Sequence, residues 1–157
     1  MYRFRIAIAL LVCSVALPVF AQDKPADTMQ ILREKVRADK KLLVAVNMKL
    51  TEKEAEAFWP VYESYQKDLQ KINQRIVKGI ESYAADYRNK SLTDEKAKRL
   101  IDEFVSIERA EAKLKGSYVP RLNKVLPAKK VARYLQIENK IRALVKYDLA
   151  AQVPLVQ

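Results

Sequence analysis

The 157-residue chain contains no histidine, two glycines and one cysteine. Without histidine it has no imidazole to serve as a general base, to activate a serine or cysteine nucleophile, or to bind a metal. Two glycines are too few for a glycine-rich phosphate loop or for the many tight turns of an all-β fold. The sequence therefore predicts a non-enzymatic protein without a cofactor or metal, and it favours an all-α fold.

The first 21 residues have the pattern of a cleaved secretory signal peptide. Arg3 and Arg5 precede an apolar stretch that runs from Ile6 to Phe20, and Ala21 provides a small residue before the cleavage site. Fifteen residues fall short of the roughly 20 that span a bilayer, which favours cleavage over an uncleaved anchor. Cleavage would remove Cys13 and leave a net charge of +9. We expect export to a bacterial periplasm.

Residues 22–149 are predicted to form one helical domain of about four helices, followed by a tail over residues 150–157. Apolar residues recur at helical spacing in each of four stretches. The first predicted helix covers about residues 29–47. The second extends from Glu52 to about Tyr87, and Pro60 is expected to kink or break it. A 36-residue helix would measure about 54 Å, which is long for a compact monomer, and we therefore expect a homodimer.

Three of the predicted helices begin with related sequences. Thr51 with Glu54 forms a capping box, in which each side chain bonds to the backbone of the other residue. Thr93 can cap the third helix, and Pro127 suits the first position of the fourth. The residues of these starts are Leu50, Thr51, Glu54, Leu92, Thr93, Leu126 and Pro127.

The segments Leu50-Thr51-Glu52-Lys53-Glu54 and Leu92-Thr93-Asp94-Glu95-Lys96 resemble the Leu-Thr-x-x-Gln motif of the Spy/CpxP-like periplasmic family. The segment that begins at Leu126-Pro127 resembles a further variant. The resemblance covers residues 30–147 and implies an extended, cradle-like antiparallel dimer. It also implies an ATP-independent chaperone or a modulator of envelope-stress sensing. Glutamate or lysine replaces the family's glutamine in all three copies, and zinc binding is not carried over.

The positive charge is concentrated in residues 113–147, which hold ten basic residues and one acid. Such a concentration of positive charge indicates a surface that binds acidic partners. The alternative is that the charge only keeps the protein soluble. The expected partners are unfolded or acidic envelope proteins, a membrane sensor domain or anionic lipid, and no specific nucleic acid. The candidate binding residues in this segment are Lys129, Lys130, Arg133, Lys140 and Arg142.

Four aromatic residues lie close together around Pro60, namely Phe58, Trp59, Tyr62 and Tyr65. They can fill the core or a dimer seam, or they can form an exposed lining that holds unfolded chains. The leading functional hypothesis is a holdase-type chaperone that captures unfolding envelope proteins on a basic and apolar helical surface. The alternative is a regulatory protein that docks on an envelope-stress sensor.

Overall fold

The computed structural model describes residues 39–156, and all of its regular structure is helical. Helix α1 covers 39–48 within the described part of the chain. It is followed by α2 (Glu52–Arg88), α3 (Asp94–Asn123) and α4 (Ala128–Gln152). The all-α prediction is confirmed, and no strand occurs between residues 39 and 156. The signal-peptide prediction and the start of the first helix lie outside the described residues.

Local sequence signals determine where the helices begin. The Thr51 hydroxyl accepts a hydrogen bond from the Glu54 backbone amide, and the Glu54 carboxylate accepts one from the Thr51 amide at 2.8 Å. The predicted capping box is therefore present. Thr93 caps α3 in the same way through the amide of Lys96. Pro127 is the N-cap of α4, one position earlier than predicted, because its extended backbone (ψ 145°) leaves Ala128 as the first helical residue.

Helix α2 continues through Pro60, and α3 continues through Pro120. Each proline removes one backbone donor, yet neither ends its helix. Pro60 is exposed to solvent, and its neighbours Phe58 and Tyr62 are buried in the core. Burial of these side chains on the same two turns offsets the missing hydrogen bond, so the alternative of a helix break at Pro60 is wrong.

The core lies where the first half of α2 meets α1, the end of α3 and the start of α4. Its largest fully buried side chains come from all four helices. They are Val44, Met48, Phe58, Leu122 and Tyr134. Helix α4 extends to Gln152, three residues into the predicted tail. The Tyr83 hydroxyl donates a hydrogen bond to the Pro154 carbonyl at 3.0 Å, which connects the chain beyond α4 to α2.

A buried polar network joins α1, α2 and α4 beside this core. The Lys40 ammonium donates one hydrogen bond to the Glu138 carboxylate and one to the side-chain amide oxygen of Gln66, both at 2.8 Å. The Gln66 amide in turn donates to the second Glu138 oxygen at 2.9 Å. Glu138 is only 4% exposed, so its charge depends on Lys40, Gln66 and the nearby Tyr134 hydroxyl for stabilisation. The network fixes α1 against the other two helices.

Candidate binding surface

The aromatic residues predicted as a client surface lie mainly in the core. Phe58, Tyr62 and Tyr65 are buried, and the Phe58 ring packs edge-on against Tyr134 with ring centroids 5.2 Å apart. Trp59 is half-buried, and the Lys41 ammonium lies 5.2 Å from the centre of its ring. The exposed-lining interpretation is therefore wrong for the three buried residues, because their side chains already fill the space between α2 and α4.

The helix-start residues have structural roles. Leu126 is buried, while Leu50 and Leu92 are half-buried, so the leucine before each start packs inward. Glu54 receives a further hydrogen bond from Lys130 at the start of α4. This bond and the one from Thr51 lower the pKa of the Glu54 carboxyl. The capping box thereby connects α2 to α4.

Two of the five candidate basic residues are engaged in contacts between helices. Lys130 pairs with Glu54 and also donates to the Lys49 carbonyl at 3.1 Å. Arg142 pairs with Glu111 of α3 and donates to the Asn73 side chain of α2 at 2.7 Å. Their assignment to a partner surface is therefore corrected: both side chains stabilise the packing of α4.

The other three basic candidates, Lys129, Arg133 and Lys140, are exposed and have no ion pair within the described part of the chain. Separations of four and seven residues place them on one face of α4. The opposite face carries the buried residues Val131, Tyr134 and Glu138. Of the predicted basic surface, the structure therefore leaves these three side chains available to a partner.

An exposed apolar patch on α3 was not identified from the sequence. The patch consists of Ile101, Phe104 and Val105, whose exposed fractions are 63%, 59% and 40%. Their spacing places them on one helix face, whereas Ile107 points inward and is 3% exposed. The apolar pattern alone did not distinguish these residues from core residues of the same helix. Large apolar side chains with this exposure can contact another chain.

A shallow groove of about 520 Å³ lies between α2 and α3. Its two acids are both paired: Arg75 forms two hydrogen bonds to Glu103 at 2.8 and 3.0 Å, and Lys96 bonds to Asp86 at 2.5 Å. These bonds lower the pKa of both carboxyl groups. Both acids of the groove are therefore already paired with bases of the groove itself, and these ion pairs connect its walls.

Residues 39–156 contain neither a candidate metal-binding cluster nor a membrane-spanning helix. No cluster of carboxylates there could hold a metal ion. None of the helices in this range is both long and apolar enough to cross a bilayer. Comparisons with protein-family models, with curated proteins and with solved structures find no match to the chain. The family resemblance therefore rests on the helix-start residues described above.

Proposed function

We propose that the chain is a holdase-type chaperone of the cell envelope, which binds unfolding proteins reversibly and without nucleotide. The observation that carries the proposal is the exposed apolar patch on α3. Ile101 and Phe104 are each about 60% exposed, and burial of this remaining surface against a client would contribute roughly 1–2 kcal/mol per side chain. Weak, non-directional contacts of this kind suit a protein that must accept many sequences.

The unpaired cations of α4 support the same proposal through long-range attraction. Lys129, Arg133 and Lys140 are exposed, and the surrounding segment carries nine of the chain's eleven excess positive charges. Such a field speeds the encounter with acidic chains, and salt weakens it because the Debye length falls from about 10 Å at 0.1 M to about 3 Å at 1 M. Client capture should therefore be faster at low salt.

The test follows light scattering while guanidinium-unfolded citrate synthase is diluted into buffer without ATP. We expect residues 22–157 to suppress aggregation near a one-to-one ratio. The double variant Ile101→Ser and Phe104→Ser should need at least about tenfold more protein for the same effect, because each loss of about 1.4 kcal/mol of contact energy weakens binding about tenfold. The matched control is Gln74→Ser with Gln136→Ser, since these side chains are also exposed but are polar, so their replacement removes no apolar surface.

Two results would contradict the proposal. The first is no suppression at severalfold excess, and the second is equal loss of activity in the patch variant and its control. The first result would favour the regulatory alternative, in which the chain binds one sensor domain tightly and saturably.

A further inference from the structure

The outward face of α4 combines unpaired cations with exposed apolar side chains. Lys129, Arg133 and Lys140 occupy its first part, and Leu144 and Tyr147 follow on the same face. Leu144 is 67% exposed and Tyr147 is 74% exposed. Successive separations of four, seven, four and three residues keep all five side chains on one side of the helix. We call these five residues the α4 stripe.

The α4 stripe extends along most of α4. It covers residues 129–147, which is about 27 Å of helix at 1.5 Å per residue. It carries no acidic side chain; the nearest acid along the chain, Asp148, follows Tyr147 by one residue and therefore points about 100° away around the helix. Leu155 and Val156, which follow the last helical residue by three and four positions, are 88% and 62% exposed. Exposed apolar side chains thus continue past the end of the stripe.

We propose that the α4 stripe docks on the surface of an anionic lipid bilayer. Lipid phosphates would meet the three cations, while Leu144 and Tyr147 would enter the boundary between headgroups and acyl chains. A flat anionic surface satisfies charge and apolar contacts along the whole length of a helix face. An acidic protein partner would instead need carboxylates and apolar groups placed in register with the stripe.

The pattern of side chains fits lipid chemistry in a second respect. Tyrosine places an apolar ring in the boundary region while its hydroxyl stays among polar groups. Lysine and arginine can bury their aliphatic stems and keep their charges at the phosphates. Each cation near an anionic surface strengthens binding by about fivefold, so the three together contribute about 100-fold. Lipid docking through the α4 stripe does not require client binding by the apolar patch on α3.

The test measures co-sedimentation of residues 22–157 with lipid vesicles, because residues 1–21 would themselves bind lipid. One set of vesicles contains phosphatidylcholine with 30% phosphatidylglycerol, and the other contains phosphatidylcholine alone. We expect binding to the anionic vesicles. The triple variant Lys129→Glu, Arg133→Glu and Lys140→Glu should lower the partition coefficient at least about 100-fold.

The matched control replaces three exposed lysines outside α4 with glutamate, which changes the net charge by the same amount. Lys53, Lys67 and Lys98 serve this purpose, because they are exposed on α2 and α3. Their replacement by glutamate should lower the partition coefficient by less than tenfold. The variant Leu144→Ser with Tyr147→Ser should lower it by about tenfold. Circular dichroism establishes that each variant keeps its helices.

Three results would overturn the proposal. The first is no sedimentation with anionic vesicles. The second is equal loss of binding in the α4 triple variant and in its control, which would indicate diffuse charge attraction. The third is full vesicle binding by the Leu144 and Tyr147 variant together with tight binding of dextran sulfate, which would identify the face as a site for soluble polyanions or acidic proteins.

Discussion

Removal of the Lys40 side chain should destabilise the fold because it leaves Glu138 buried without its counter-ion. Lys40 and Glu138 are 13% and 4% exposed, and loss of one partner of a buried pair costs about 3–5 kcal/mol. The Gln66 amide still donates to Glu138 in the variant, so we expect Lys40→Met to cost about 3 kcal/mol, the lower end of that range.

The neighbouring lysine provides a matched control. Lys41 pairs with Glu63 at 2.6 Å, but both side chains are more than half exposed, and such pairs contribute about 1 kcal/mol or less. Lys41→Met should therefore cost no more than about 1 kcal/mol. A third variant, Lys40→Met with Glu138→Leu, removes both charges and should recover part of the lost stability, because apolar replacement of a buried ion pair is often neutral. Recovery is incomplete because the Gln66 amide loses its bonds to both residues.

Urea unfolding followed by circular dichroism gives the free energy of unfolding for all three variants. A cost for Lys40→Met no greater than that for Lys41→Met would contradict the role of the buried ion pair. A double variant as unstable as Lys40→Met would also contradict it, since the loss would then come from packing of the lysine stem and not from the stranded carboxylate.

Two further predictions concern the aromatic residues. Phe58→Ala should cost about 3–5 kcal/mol in urea unfolding because Phe58 is fully buried, whereas Phe104→Ala on the exposed patch should stay within about 0.5 kcal/mol; equal costs would contradict the burial assignment. Burial raises the pKa of Tyr65 to about 12 and raises the pKa of Tyr62 and Tyr134 as well. Since tyrosinate is favoured in the unfolded chain, this contribution to stability is complete below pH 10 and is lost as the pH rises toward 12. Alkaline titration at 295 nm should show these three tyrosines ionising only with unfolding, and their ionisation near pH 10 in a folded chain would refute the prediction.

The helix starts could be predicted because their causes are local. Thr51 and Glu54 are three residues apart, and the capping box needs only the backbone between them. Pro60 shows the limit of local reasoning: its missing donor predicted a kink or break, but anchoring of Phe58 and Tyr62 in the core keeps α2 continuous. That anchoring depends on Tyr134, more than 70 residues later in the sequence.

The proposed binding surface was harder to predict because it depends on which side chains are already buried or paired with other residues of the chain. Lys129 and Lys130 are adjacent in sequence, yet Lys130 pairs with Glu54 of a distant helix and Lys129 remains exposed. Likewise, Phe104 and Ile107 belong to the same apolar pattern, but only Ile107 faces a neighbouring helix. Charge density and periodicity indicated candidate segments, and tertiary contacts determine which side chains within those segments remain exposed.

The length of α2 has a consequence for how the protein opens. The first half of α2, which carries Phe58, packs in the main core. Ile72 and Tyr83 of α2 and Ile107 of α3 are also buried, but they do not belong to the main core. The far half of α2 and the start of α3 are joined instead by partly exposed ion pairs such as Arg75–Glu103. We expect this hairpin to open more readily than the main core, because it buries fewer apolar side chains, although its opening would also break the hydrogen bond from Tyr83 to the Pro154 carbonyl. The two ends of α2 should therefore differ in local stability, and amide hydrogen exchange should be faster at the end that pairs with the start of α3.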